Sequence, residues 1–335
     1  MQLDEIYMCL ALQKAWEYQG LTYPNPAVGA VITQKGRIIA IEAHQKAGTS
    51  HAEVLALLAT YENLSGNKID FNRFDAHLAH DFLLKLPPLF FRECTIYVTL
   101  EPCSHEGKTP SCASLLSRLK LEKVMIATMD PVPFHSGGVA RLEESGTKVE
   151  IGVEAESAKL LIEPFLIWQK RAFVLFKLAQ TSNGKIGGGY LSSQESLTHV
   201  HKFREVCDSL LIGGHTVRAD RPTLDCRFTG GRAPNVRIYS KETDFDQEIP
   251  LFGIQEREVD ISNNLDFLEK PSFVLVEGGE GMLRALSRQI DWYLFYQTPK
   301  LSSHNLTYNI DKHLTFLHTG KKGVDLMIWS KERDG

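Results

Sequence analysis

Two short fragments of the sequence hold the residue types needed for metal-assisted hydrolysis. The first is His51-Ala-Glu53, and the second is Thr99-Leu-Glu-Pro-Cys-Ser-His-Glu-Gly-Lys-Thr-Pro-Ser-Cys112. Together they offer one imidazole, the thiols of Cys103 and Cys112, and one free carboxylate. Catalytic zinc is held by three such protein ligands, with a fourth position left for water. His51, Cys103 and Cys112 are therefore candidate ligands for one Zn²⁺ per chain, and Glu53 is the candidate acid–base. Water on such an ion ionises near pH ~7, and a carboxylate beside it can carry protons to a substrate and to a leaving group.

Each fragment alone has an ordinary reading. Ser50-x-x-Glu53 fits a capping box, in which the carboxylate only serves backbone N–H groups, and cysteines beside Pro102 can be small buried hydrophobes. Jointly the two favour the metal. Both lie at predicted helix starts after strand-like segments, where the helix dipole favours thiolate. An H-x-E element followed by Pro-Cys and a second cysteine is the pattern of zinc deaminases, which attack an amidine-like carbon and release ammonia. Amine-bearing heterocycles are the expected substrates. Here the second cysteine comes nine residues after the first rather than three.

The elements that must position these residues follow from periodicity and turn chemistry. Apolar side chains at helical spacing predict a helix over 3–18, and Tyr23-Pro-Asn-Pro26 ends it in an extended loop. Residues 27–33 and 37–42 read as a hairpin. A helix over 50–61 places His51 in its first turn. Residues 63–93, with their Pro87-Pro88 break, read as a long connection with some helix of its own, lying on the surface or at an interface. Strands over 95–100, 123–129 and 147–151 alternate with helices over 111–119 and 138–145, which implies a sheet covered on both faces. A helical segment over 154–170 leads to a second α/β region. There strands are predicted at 173–179, 209–212, 235–239, 273–276 and 292–296, with helices near 195–204 and 281–288. The domains are thus read as 1–152 and 170–335.

With 37 basic against 41 acidic residues, no global field recruits nucleic acid. The N-terminus carries acids where a signal peptide carries bases, and no apolar run reaches membrane length. Six cysteines without a secretion signal read as thiols or metal ligands of a cytoplasmic protein.

At this point the motifs resemble one family closely. Pro24-Asn-Pro26 with Val28-Gly29, His44 with Gly48, His51-Ala-Glu53, the whole 99–112 stretch with its long cysteine spacing, and Asp130-Pro131 followed by Gly138 are similar to the deaminase domain of bifunctional riboflavin biosynthesis proteins. Gly213-Gly-His-Thr-Val-Arg-Ala-Asp-Arg-Pro-Thr-Leu-Asp-Cys-Arg227 and Val276-Glu-Gly-Gly279 are similar to their reductase domain. The resemblance implies a cytidine-deaminase-like three-layer α/β/α domain followed by a dihydrofolate-reductase-like α/β domain. It implies deamination of 2,5-diamino-6-(5-phosphoribosylamino)pyrimidin-4(3H)-one, then NADPH-dependent reduction of the ribosyl group to ribityl. On the matching positions it implies substrate contacts at Asn25, His44, His105 and Lys108, the last suited to phosphate. In the second half it implies substrate contacts at Lys177, Ser192, Asp220, Arg227 and Glu277, and cofactor contacts at Thr216, Gly278 and Gly279. A homo-oligomer is expected, with no nucleic-acid or membrane partner.

The sequence departs from the family pattern in several places. Ser111 stands where proline is usual, and Thr181-Ser-Asn-Gly184 replaces Ser-Leu-Asp-Gly. The 62–93 stretch is longer than the family pattern, whereas 237–277 and the tail after Trp292 are shorter. The alternative within the same chemistry is a deaminase whose second domain only shapes an oligomer. An RNA-editing adenosine deaminase would want Cys-x-x-Cys spacing and a basic face. A structural zinc module would close the site with a fourth protein ligand.

Overall fold

The computed structural model describes residues 2–87, 89–133, 136–187, 189 and 191–333. Met1, Pro88 of the double-proline break, and the last two residues of the second domain span lie outside the described residues. The chain divides into two compact units between Phe165 and Leu166.

In the first unit, β1 (Gly29–Gln34) forms an antiparallel hairpin with β2 (Arg37–Ala43) and pairs antiparallel with β3 (Cys94–Val98). Strands β4 (Lys123–Ile126) and β5 (Val149–Ile151) extend the sheet in parallel, giving the order β2-β1-β3-β4-β5. Alternate residues serve opposite faces, as a period of two requires. Ala30, Ile32, Ile96, Val98, Val124 and Ile126 pack with α2 (Ala52–Ser65), α3 (Ala76–Leu84), α4 (Cys112–Leu119) and α5 (Gly138–Glu144). On the other face Tyr7 of α1 (Leu3–Trp16) meets Tyr97, with ring centroids 5.1 Å apart. Helix α1 crosses β1 so closely that a Cβ on Gly29 would lie 1.9 Å from the Ala11 carbonyl oxygen, so only glycine fits there.

The 63–93 stretch contributes more to the core than its sequence reading expected. Ala79, Leu83 and Phe91 belong to the core of the first unit, with Phe71, Phe82 and Phe90 packed against it. The stretch does carry a helix of its own, α3, and most of it is exposed or half-buried, but these side chains also anchor it in the core of the first unit.

The second unit is organised on β6 (Ala172–Thr181), which follows α6 (Ala155–Trp168) and is buried on both faces from Ala172 to Phe176. Such a continuous apolar run suits a parallel strand covered on both sides. The remaining strands are β7 (Ser209–Gly213), β8 (Asn235–Tyr239), β9 (Val259–Ser262), β10 (Ser272–Glu277), β11 (Trp292–Thr298), β12 (Leu314–Lys322) and β13 (Asp325–Glu332). Their order is β12-β13-β11-β6-β10-β7-β8-β9. Among the named strands of the described residues, the antiparallel pairings are those of β13 with β11 and β12. Sequence reading missed the β12–β13 hairpin, β9, and the short helix α8 (Gly214–Asp220). Helix α7 (Gln194–Val206) begins at its cap Ser193, and α9 (Glu280–Ala285) follows β10.

Candidate active sites

In the first unit, three elements deliver the metal-ligand candidates. His51 is the N-cap residue of α2, Cys103 lies on the loop after β3, and Cys112 is the first residue of α4. Ser111 caps α4 by accepting from the Ser114 N–H, and its hydroxyl donates to the Cys103 carbonyl at 2.8 Å. One side chain thus ties the two thiols to a common frame.

The three ligand atoms all lie within 4.8 Å of one another. Cys103 Sγ is 3.7 Å and Cys112 Sγ 3.4 Å from His51 Nδ1. Zinc–sulfur and zinc–nitrogen bonds at tetrahedral angles would put a sulfur roughly 3.6 Å from the nitrogen, so the donor set fits zinc. His51 Nε2 lies 3.2 Å from the Thr109 hydroxyl, which leaves Nδ1 as the metal-facing nitrogen. The hydrogen bond from Cys112, reinforced by His51, brings the Cys103 thiol down to about 3 against the effect of burial. Cys112 is pushed up by its hydrogen bond to that sulfur and by burial.

Glu53 sits in the first turn of α2, and burial pushes its carboxyl up. The capping-box reading fails here. The N-cap of α2 is His51 rather than Ser50, whose hydroxyl donates instead to the Arg73 carbonyl at 2.7 Å. Glu53 is therefore free to face the ligands.

A cavity of about 350 Å³ opens beside this group, lined by Asn25, His44, His51, Glu53, Cys103, His105 and Lys108, among others. All four substrate candidates of this half are thus brought to one place. Burial, then the nearby His51, lowers the His44 imidazole to about 3, so it is neutral. Two wall residues escaped the sequence reading. Glu101 accepts three backbone N–H groups, from Asp130, Gly137 and Val139, at 3.0–3.1 Å and so holds the loop carrying Asp130. Thr109 was likewise missed, although it sits inside the cysteine stretch. Only its backbone position could have marked it.

In the second unit, β10 and β6 set Glu277 directly beside Lys177 in parallel register. Their side chains meet at 3.6 Å, and Arg204 of α7 grips both Glu277 oxygens at 2.7 and 3.0 Å. Arg204 also donates to the Asp225 carbonyl at 3.2 Å, tying in the 220–227 loop. Burial lowers the Lys177 amine, while Glu277 pushes it back up. Glu277 is the last residue of β10, at the carboxyl end of a parallel strand, where open α/β sheets bind ligands.

The other candidates are more dispersed. Arg227 is exposed and donates to Asp225 at 2.8 Å, and Asp220 is the exposed last residue of α8. Thr216 lies in the first turn of α8, and Ser192 immediately precedes the cap of α7. Gly278 and Gly279 lead into α9, and a Cβ on Gly278 would lie 2.8 Å from Met282. Close packing alone therefore requires Gly278. Arg204 was not foreseen, because an arginine on an amphipathic helix carries no spacing signal.

Comparison with known proteins agrees with both halves. Residues 1–128 match the cytidine and deoxycytidylate deaminase zinc-binding region, and residues 172–302 match the RibD C-terminal domain. The riboflavin biosynthesis protein RibD of Aquifex aeolicus is 36% identical over 75% of this chain, which spans 64% of that protein's length. RibD of Mycobacterium tuberculosis is 30% identical over 89% of this chain and 86% of its own. A Thermotoga maritima diaminohydroxyphosphoribosylaminopyrimidine deaminase/5-amino-6-(5-phosphoribosylamino)uracil reductase structure superposes with a TM-score of 0.66, at 27% identity, over 99% of both chains. With a zinc-deaminase half, a RibD-type second half and relatives that span both, the chain belongs to the RibD family of riboflavin biosynthesis proteins.

Proposed function

We propose that the chain deaminates 2,5-diamino-6-(5-phosphoribosylamino)pyrimidin-4(3H)-one in its first half and reduces the ribosyl group of the product with NADPH in its second. The observation that carries the first reaction is the triangle of His51, Cys103 and Cys112 beside the buried Glu53, at the wall of one cavity. His51, Cys103 and Cys112 would hold the zinc ion, which would supply water that ionises near neutral pH. Glu53 would carry one proton of the attacking water to the ring nitrogen and the second, from the new hydroxyl, to the departing amine, so that water and the amidine carbon give a carbonyl and ammonia. Asn25 and His44 meet the pyrimidine or its ribose, and Lys108 with His105 meets the phosphate.

For the second reaction, NADPH held by this unit would supply the hydride for the ring-opened ribosyl carbon. Lys177, Glu277, Asp220, Arg227 and Ser192 are proposed to hold the substrate's ribose and phosphate, with Thr216, Gly278 and Gly279 near the cofactor. The protein is proposed to work in the cytoplasm as a homo-oligomer. Among the described residues no helix is long and apolar enough to cross a membrane.

Supplying the diaminopyrimidine substrate and measuring ammonia release, then NADPH oxidation, tests the two steps separately. Lys177→Ala should weaken the second while leaving zinc content and ammonia release unchanged. Ammonia release without saturable NADPH binding at millimolar cofactor would reduce the second domain to a structural or oligomerising role.

A further inference from the structure

Residues 63–93 separate the two ligand-bearing fragments, and their first part is anchored firmly. Phe82 meets Tyr61 edge-on with centroids 4.9 Å apart and lies 5.3 Å from Phe71. Arg73 pairs with Glu62 at 2.7 Å and with Glu42 at 3.6 Å, and Glu62 also accepts the Ile69 N–H at 3.3 Å. From this anchored turn two successive carbonyls reach Ser50. Phe74 accepts its N–H at 3.1 Å, and Arg73 accepts its hydroxyl at 2.7 Å.

Ser50 passes this order toward the cavity. Its own carbonyl lies 3.3 Å from His44 Nδ1, and His44 Nε2 lies 3.1 Å from the Asn25 amide nitrogen. A carbonyl can only accept and an amide nitrogen can only donate, so Nδ1 donates to Ser50 and Nε2 accepts from Asn25. Asn25 therefore presents its NH₂ to His44. Its carbonyl oxygen is left as the group for a ligand, suited to hydroxyl and amine donors.

We propose that the 63–75 segment is a positioning element that sets which chemistry the cavity recognises. Arg73 fixes Ser50, Ser50 fixes the tautomer of His44, and His44 fixes the face of the Asn25 amide. If the Ser50 carbonyl turned away, the Nε2–H tautomer would become available and Asn25 would rotate to offer its oxygen to His44. The cavity would then meet an NH₂ group, which favours acceptors over the hydroxyls and amines of a ribosylated aminopyrimidine. The identity of the ligand rests on the deaminase reading; the hydrogen-bond relay does not.

The test uses the full-length, zinc-loaded protein, labelled with ¹⁵N, and long-range proton–nitrogen correlation of its imidazoles at constant pH. The wild type should show His44 protonated at Nδ1. Arg73→Met should mix the two tautomers and raise KM for the pyrimidine substrate roughly tenfold, the worth of one hydrogen bond. It should change kcat by less than about twofold, because the acid–base group is untouched. Zinc should stay at one per chain, and Arg73→Lys should restore most of the affinity. Ser50→Ala removes a single hydroxyl and should move both readings in the same direction, which keeps the test open if Arg73→Met does not fold. An Nε2–H tautomer in the wild type overturns the proposal. So do variants with wild-type tautomer and KM, or variants in which kcat and zinc fall together with affinity. A wild type that releases no ammonia would sink the deaminase reading while leaving the tautomer measurement standing.

Discussion

Replacing Arg204 by methionine should destabilise the second unit far more than an ordinary surface change. Burial alone would raise the Glu277 carboxyl, yet Arg204 and then Lys177 bring it from an ordinary 4.5 down to about 2. At 1.36 kcal/mol per pH unit, that difference is worth roughly 3 kcal/mol between the charged and neutral forms. The Glu277 side chain is only 14% exposed, so solvent screening removes little of it. Because the folded value is depressed, this stabilisation is present above about pH 4.5 and is lost as pH falls toward about 2. Arg204→Met leaves the carboxylate with Lys177 alone, at 3.6 Å. Breaking one side of a buried pair costs about 3–5 kcal/mol. Combining it with Glu277→Gln should recover part of the loss, since the uncompensated charge is gone. Urea unfolding by tryptophan fluorescence reads this directly, because Trp168, Trp292 and Trp329 lie in the second unit and only Trp16 in the first. Ammonia release and zinc content monitor the first unit in the same samples. A loss below about 1 kcal/mol, with the acid dependence of the wild type, would show that the cluster is not electrostatically coupled as argued.

Glu53→Gln should keep one zinc per chain and lower ammonia release by ~10²–10⁴; turnover near the wild-type rate would remove Glu53 from the mechanism. Cys103→Ser and Cys112→Ser should each abolish stoichiometric zinc by elemental analysis, because the thiolates supply both charge and soft ligation. One zinc per chain in either would mean that the ligands are wrongly assigned. Thr109→Val removes the acceptor for the outer nitrogen of His51 and should weaken zinc about 10–100-fold in chelator competition. Unchanged affinity would refute the tautomer argument at His51.

The fold was legible wherever a period was clean. The 27–33 and 37–42 hairpin, the central strand of each unit and the helices carrying His51 and Cys112 follow from alternation, helical spacing and turn residues. What was missed has physical causes. Strands β12 and β13 flank a sheet edge, and β12 alternates only partly buried and exposed positions. The mixed polar sequence of β12 therefore resembles a tail, and the short apolar run of β13 was left without its partner. The 63–93 stretch hides its role for another reason. Its phenylalanines form one cluster with Tyr61, but their spacing fits neither helix nor strand, so burial had to come from tertiary contacts.

The two sites differ in legibility because their chemistries restrict residue type differently. A zinc ion accepts few side chains, so one histidine and two cysteines beside a carboxylate are informative before any fold is known. Ribose, phosphate and nicotinamide are met by hydroxyls, glycines and charges that every surface also uses. Gly278 illustrates the ambiguity. The sequence reading offers its backbone to a cofactor phosphate, yet Met282 would already stand 2.8 Å from a Cβ there. Glu277 shows the reverse case. Its neighbours in the sequence say nothing of Arg204, seventy-three residues away, whose fork takes both carboxylate oxygens. A substrate hydroxyl that reaches Glu277 must therefore share the carboxylate with Arg204 or bond to Lys177. That Arg204 takes both oxygens of Glu277 follows from its place on α7 rather than from any motif.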